Sequence, residues 1–377
     1  MTAELTDLAR HAADAAVLNG DSRTAFGAPR IESARDDLDR HGLHAMVRVL
    51  RKALPDGEFH AEPEIAERLG VAPRHRWLLR RWLAELTARG WVSGDEQTGY
   101  GAPREVAAPV RPDLRAVCAD LGFAPELARF FERANERLPE LLRDRVLAQE
   151  LLFPGGDFRT AEAAYRNNPI NRYLNAATKE IVTWAVGELT TSPVRILELG
   201  AGVGGTTADI VPGLNDLAVD YHFTDLSSFF LDTARAQFSA YPWMRYGIVD
   251  LNADLPNQQA CDIVLAANVL HNAHHCGQIL REVHNLLRPG GLLIFVESCR
   301  EHCQLLTSMH FLMSPKPGVA QPGRTDVRAG TDRIFLSERE WLDELAAAGL
   351  QTQVVLPETD HPLAALGQRV FAAQKPL

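Results

Sequence analysis

The stretch "VRILELGAGVGGTTADIV", from Val194 to Val211, constrains the fold of this chain more than any other. An apolar run ends in Gly200, Gly202, Gly204 and Gly205, and a helix-forming run opens at Thr206 and Thr207. Glycine at a strand end permits positive φ and lets a ligand lie against the main chain. The helix that follows points its N-terminus at the same ligand.

The residues around this turn predict an α/β fold. After Pro193 the runs "VRILEL", "VDYHFT", "MRYGIV", "CDIVLAA" and "LLIFVE" read as strands. They alternate with helical patterns such as "SSFFLDTARAQF" and "CGQILREVHNLL". That alternation predicts a Rossmann-like, doubly wound parallel sheet over 191–377. The runs "TQVVLP" and "RVFAAQ", after the helix "SEREWLDELAAAG", are candidates for two further strands. With 377 residues the chain has room for a second core.

Upstream, "HAMVRVLRKAL", "PEIAERLGV" and "RHRWLLRRWLAELTARG" are helical, the last two stopped by Gly70 and Gly90. "WVSGDEQTGY" follows as a short wing, which predicts a helical, winged-helix-like domain over 1–110. A Pro/Ala-rich linker, "APREVAAPVRP", leads to a helical lead-in and cap over 111–190. Arg74, Arg76, Arg80 and Arg81 suit phosphate contacts, yet Trp77, Leu78, Trp82 and Leu86 share that helix at core spacing. A scaffold, capping or dimerising role is expected instead, and a homodimer is admitted.

A net charge of −10 argues against nucleic acid or an anionic membrane as partner. The N-terminus "MTAELTDLARHAADAA" is acidic and amphipathic rather than signal-like, so a cytoplasmic enzyme is expected. Cys118, Cys261, Cys276, Cys299 and Cys303 are scattered and odd in number, against a disulfide framework. His271, His274, His275, Cys276, Cys299, His302 and Cys303 lack the C-x-x-C spacing of a structural zinc site, and no metal is expected.

Gly200, Gly202 and Gly205 satisfy G-x-G-x-x-G, which serves nicotinamide dinucleotides and S-adenosylmethionine alike. Glu198 discriminates between them. A carboxylate beside the turn repels a pyrophosphate but suits an ammonium group and a sulfonium. Asp225, followed by Leu226, ends the second strand and suits the ribose hydroxyls. Asp250 and Leu251, at the end of the third, suit the adenine amino group and ring, and Asn268 stands at the end of the fourth. Three acids at successive strand ends favour S-adenosylmethionine as cofactor.

Carbon beside a carbonyl must lose a proton before it accepts a methyl group, whereas an amine needs little help. His271, in "NVLHN", follows the fourth strand, and Glu297, in "FVES", ends the fifth. A carboxylate against an imidazole fixes its tautomer and makes it a base near neutral pH. Met309, Phe311 and Met313 are candidates for an acyl pocket, and Met309 is taken as a substrate contact. The Gly/Pro-rich part of 300–333 reads as a mobile lid or insertion.

Together "ILELGAGVGGTT", "YHFTDLSSFFLDTARAQF", "DIVLAANVLHNAHH" and "LLRPGGLLIFVE" resemble the methyltransferase domains embedded in polyketide synthases and some nonribosomal peptide synthetases. "NERLPELLRDRVLAQELLFPGGD", "AAYRNNPINRYLNAA" and "FLSEREWLDELAAAGL" extend the resemblance from about Ala134 to the C-terminus. It implies a class I S-adenosylmethionine-dependent methyltransferase of secondary-metabolite biosynthesis. It also implies that His271 and Glu297 form the catalytic dyad of carbon methylation, and that Tyr165, Tyr173 and Asn175 cover cofactor and substrate. The acceptor is a small molecule or an acyl or peptidyl group on a carrier protein. The alternative is O- or N-methylation of such a molecule.

Overall fold

The computed structural model describes residues 2–20, 28–104, 113–253, 255, 261–316 and 318–377. Seven strands form one sheet: β1 (Val194–Leu199), β2 (Val219–Asp225), β3 (Met244–Ile248), β4 (Cys261–Ala267), β5 (Leu287–Ser298), β6 (Gln351–Leu356) and β7 (Gln368–Gln374). Their order is β3-β2-β1-β4-β5-β7-β6. The first five are parallel, and β7 enters antiparallel between β5 and β6. The two late runs are therefore strands; β7 runs against the other six, and both of its pairings are antiparallel. Only a short segment joins β6 to β7, and a parallel pair needs a longer crossover.

β4 is buried along Cys261–Ala266, as a central strand covered on both faces must be. Between β1 and β4 the chain reverses its direction of travel across the sheet. Such a switch point opens a crevice outside the carboxyl ends of the strands, where ligands of α/β sheets bind. The glycine turn leaves β1 on one side of that crevice, and the Asn268–Asn272 turn leaves β4 on the other.

Helices fill the space around the sheet. Before it come α1 (Thr2–Gly20), α2 (Ala28–Leu50), α3 (Glu62–Leu69), α4 (Arg76–Ala88), α5 (Leu114–Asp120) and α6 (Pro125–Glu136). α7 (Leu138–Leu142), α8 (Ala148–Leu152), α9 (Arg159–Tyr165) and α10 (Pro169–Glu188) complete the lead-in. Within the sheet region lie α11 (Gly205–Ile210), α12 (Ser228–Gln237), α13 (Cys276–Leu286), α14 (Cys303–Leu306) and α15 (Glu338–Ala347). α15 carries a capping box, Ser337 with Glu340, which satisfies two helix N-terminal N–H groups.

The N-terminal helices share their core with the sheet. α1 lies along α10, and α2 packs against α14. One continuous apolar cluster runs from Leu5 through Trp82 and Tyr221 to Ala372. α3 ends at Gly70 in the left-handed conformation, α4 follows, and a two-stranded hairpin joins Gly94–Asp95 to Gly99–Tyr100.

α4 buries Trp77, Leu78, Trp82 and Leu86 against the rest of the protein, and Trp82 Nε1 donates to the Leu306 carbonyl at 3.0 Å. The arginines on α4 and just before it face carboxylates: Arg74–Asp144 at 2.7 Å, Arg76–Glu62 at 2.5 Å, Arg80–Asp332 at 2.5 Å and Arg81–Glu301 at 2.6 Å. His75 bridges Asp144 at 2.8 Å and the Ser314 hydroxyl at 2.7 Å, and Trp77 Nε1 donates to the same hydroxyl at 2.9 Å. This relay is a strut. It fixes the Met309–Met313 turn to the start of α4.

Candidate active site

Two features shape the glycine turn. Gly200, Gly202 and Gly204 have φ of +57°, +55° and +69°, a region that L side chains rarely adopt. A Cβ on Gly200 would lie 2.2 Å from Val269 Cγ2, so the turn and the β4 end are in direct contact. At Gly202 a Cβ would meet nothing within 4 Å, which leaves that face of the turn open. The Gly202 N–H donates to Asp225 Oδ2 at 2.9 Å, and Asp225 Oδ1 accepts from the Ser227 N–H at 2.8 Å. Asp225 thus holds the turn while keeping further lone pairs for hydroxyl donors.

Exposed Leu226 and Ile248 flank Asp225, the first in sequence and the second in sheet register. Asp250 is exposed and caps the Asn252 N–H at 2.9 Å, with Leu251 half-buried beside it. An open turn, acidic groups and an apolar rim fit an adenosyl ligand. Ile248 was not expected from the sequence, because an apolar strand residue reads as core.

Glu198 departs from expectation. Its carboxyl group is buried and turned into the protein, where Thr207 donates to it at 2.7 Å and Tyr221 at 2.8 Å. Burial pushes its pKa up to about 7; the two hydroxyls oppose that rise and the charge of Asp225 adds to it. The group underpins the glycine turn from below.

Across the crevice, Asn268 takes φ +53° and its N–H donates to the Val296 carbonyl at 2.7 Å. Asparagine tolerates that left-handed position better than most residues. The turn it starts carries His271 back toward β5. His271 Nδ1 lies 2.8 Å from Glu297 Oε2, and the His271 backbone N–H donates to Glu297 Oε1 at 3.2 Å. Glu297 is fully buried and His271 nearly so. His271 Nε2 is buried without a hydrogen-bond partner.

That nitrogen belongs to a ring lining a largely apolar cavity, whose walls include Leu38, Phe131, Met309, Met313 and Phe335. Asn268, Tyr165 and Ser298 contribute polar atoms. Tyr165 also reaches the glycine turn, since its carbonyl lies 3.5 Å from where a Cβ on Gly205 would stand. Burial raises the Tyr165 phenol to about 12, so it remains protonated at neutral pH.

The other expected cover residues part company. Tyr173 does not line the cavity; it is buried with its ring 4.8 Å from that of His361. Asn175 accepts from the Thr206 hydroxyl at 3.0 Å and donates to Asp209 at 3.1 Å, placing it at α11. Phe311 packs edge-on to His75, centroids 4.9 Å apart, rather than into the cavity.

The segment expected as a lid is anchored at its Gly/Pro end. Arg328 is fully buried and donates to the His271 carbonyl at 2.7 Å, the Ala273 carbonyl at 3.1 Å and Asp326 at 2.7 Å. Asp326 in turn accepts from the Cys276 N–H at 2.9 Å. Nothing in the spacing of "GRTDVRAGTDR" signals this, because a buried arginine in a Gly/Pro-rich run looks like any solvated charge.

The five cysteines are free. Among the described residues no cluster of three metal-ligating side chains occurs, and no helix is long and apolar enough to cross a membrane.

Residues 197–293 match the methyltransferase domain family. The chain is 31% identical over 363 residues to pyochelin synthetase PchF of Pseudomonas aeruginosa, covering 87% of this chain and 19% of that protein. It is 36% identical over 242 residues to polyketide synthase ThaG of Burkholderia thailandensis, covering 61% of this chain and 4% of that protein. The chain thus spans about a fifth or less of these curated relatives. The solved structure of the CurJ carbon methyltransferase superposes with a TM-score of 0.81 at 25% identity, covering 99% of each chain. With the glycine turn and strand order in place, the chain is an S-adenosylmethionine-dependent methyltransferase resembling those built into polyketide synthases and nonribosomal peptide synthetases.

Proposed function

We propose that this methyltransferase methylates an enolisable carbon, with His271 as general base and Glu297 as the group that orients it. One observation carries the reading: His271 lines the cavity, its Nε2 is buried without a partner, and its Nδ1 faces a buried carboxylate at 2.8 Å. A carboxylate accepts, so the proton of the neutral ring resides on Nδ1 and Nε2 keeps its lone pair free. A carbon acid needs such a base, and an amine does not.

When bound, S-adenosylmethionine supplies a methyl group on a positively charged sulfur. Gly200, Gly202 and Gly204 would cradle it against the main chain, with Glu198 supporting the turn from beneath. Asp225 and Leu226 would meet the ribose and adenine, Asp250 and Leu251 the far edge of the base, and Asn268 the side nearest the acceptor. Tyr165, between turn and cavity, would separate the two ligands' pockets, and Met309 would line the acceptor's. Tyr173 and Asn175 act in this reading through packing and through α11.

The cavity, about 140 Å³ in volume, has room for the reacting end of an acyl chain. This favours an acyl or peptidyl thioester whose remainder, on a carrier protein, stays outside. The segments 1–110, winged-helix-like in its helix–turn–helix and hairpin, and 111–190 would cover the acceptor, and 191–377 would hold the cofactor. The test is methyl transfer by His271→Ala and Glu297→Gln. The first is expected to lose roughly 10²–10⁴-fold in turnover with cofactor affinity by calorimetry retained. The second is expected to lose less. Unchanged turnover in both would remove the proton-abstraction mechanism.

A further inference from the structure

A second imidazole borders the same cavity. His310 is 1% exposed, and both of its ring nitrogens are buried without a hydrogen-bond partner. Its neighbours are rings: Trp77 stacks at 6.1 Å and Phe335 stands edge-on at 5.4 Å. Phe335 has no donor or acceptor, and the Trp77 indole N–H is taken by the Ser314 hydroxyl. Phe335 also packs edge-on to His271 at 5.0 Å, so the two imidazoles flank one phenyl ring and line one cavity. Buried polar groups are almost always paired, so an imidazole with both nitrogens open in a cavity wall calls for a partner from the cavity.

Resting on the carbon-methylation reading above, we infer that His310 donates a hydrogen bond to the acceptor's carbonyl oxygen as the enolate forms. Burial pushes its pKa down to about 3, helped by the charges of Arg81, His271 and His302. The ring is therefore neutral at working pH, with one N–H to give. In the step, the C–H bond beside the carbonyl breaks and its proton passes to His271 Nε2. The electron pair becomes the C=C bond, and the carbonyl pair moves to oxygen, where the His310 N–H receives the growing charge. The enolate carbon then takes the methyl from the sulfonium, whose carbon–sulfur bond breaks with its pair left on sulfur. The proton on His271 leaves to water. Such a donor suits acceptors with a carbonyl next to the reacting carbon, as an acyl thioester has.

The experiment follows methyl transfer from S-adenosylmethionine to acetoacetyl-N-acetylcysteamine by mass spectrometry. His310→Phe keeps a ring without a donor and is expected to lower kcat roughly 100-fold, with KM for the thioester within about threefold. Cofactor affinity by calorimetry is expected to hold. His310→Asn restores an N–H donor and is expected to recover a tenth or more of the wild-type kcat. A kcat in His310→Phe close to wild type, or equal losses in both variants, would overturn the inference. Should the variants fail to fold, ¹⁵N-histidine spectra of the wild-type protein decide: the His310 ring N–H must shift when the thioester is added, and no shift overturns the role. Wild-type protein that methylates an amine or hydroxyl probe but not the thioester would instead overturn carbon methylation itself.

Discussion

The two sides of the crevice are built on opposite principles. On the cofactor side, Gly202, Asp225 and Ser227 satisfy one another, and Glu198 has two hydroxyl partners. On the acceptor side, His271 Nε2 and both nitrogens of His310 have no protein partner. A surface that cradles a whole ligand must be pre-formed, so its own polar groups are fixed by internal bonds. The proposed proton transfer requires a lone pair left free. Three unpaired nitrogens beside one cavity set these two imidazoles apart from the single unpaired atoms elsewhere among the described residues.

The largest effect that would sharpen this contrast is at Arg328, which braces the acceptor side. Arg328→Met takes the guanidinium away from Asp326 and from the His271, Ala273 and Ile334 carbonyls in the interior, and a loss of about 3–5 kcal/mol is expected in urea unfolding. A smaller loss, with kcat unchanged, would show that the His271 turn holds itself.

Glu198 tests the cofactor side. Its pKa rises from an ordinary 4.5 to about 7 in the folded chain. Between those values the folded protein holds a proton that the unfolded chain has released. Stability is thus full below about pH 4.5 and falls as pH rises through 7, by about 3 kcal/mol from this group. Glu198→Gln is expected to flatten that slope in thermal melts of the cofactor-free protein. A slope that persists in the variant would assign it to another group.

Arg80 should matter least. Its pair with Asp332 is partly solvent-exposed, and Arg80→Ala is expected to cost at most about 1 kcal/mol, with turnover unaffected. A large loss would mean that the α4 contacts control the acceptor side.

Legibility in the sequence followed the same division. The glycine turn, Asp225 and Asp250 sit at strand ends that period and composition reveal, and all stand at the carboxyl edge of the sheet. His271 and Glu297 were legible for the same reason: each follows an apolar strand, and adjacent strands bring their ends together. His310, Phe335 and Arg328 were not. They lie in a stretch without periodicity, where a cavity wall and a solvated loop read alike. Tyr173 failed in the opposite sense, since its aromatic character suited a ligand contact and the helix turned it onto His361.

What the sequence determined by itself is local: a strand that ends in glycines, acids at successive strand tips, an imidazole just after one strand and a carboxylate at the end of the next. Backbone preference and side-chain period act over a few residues, so these could be read in order. What only the tertiary structure decided is which distant segments meet. Leu38 from α2, Phe131 from α6 and Phe335 before α15 close one cavity, and the ends of that span are about 300 residues apart in the chain. Contacts at such separation depend on how whole helices pack, and no window along the chain carries that information.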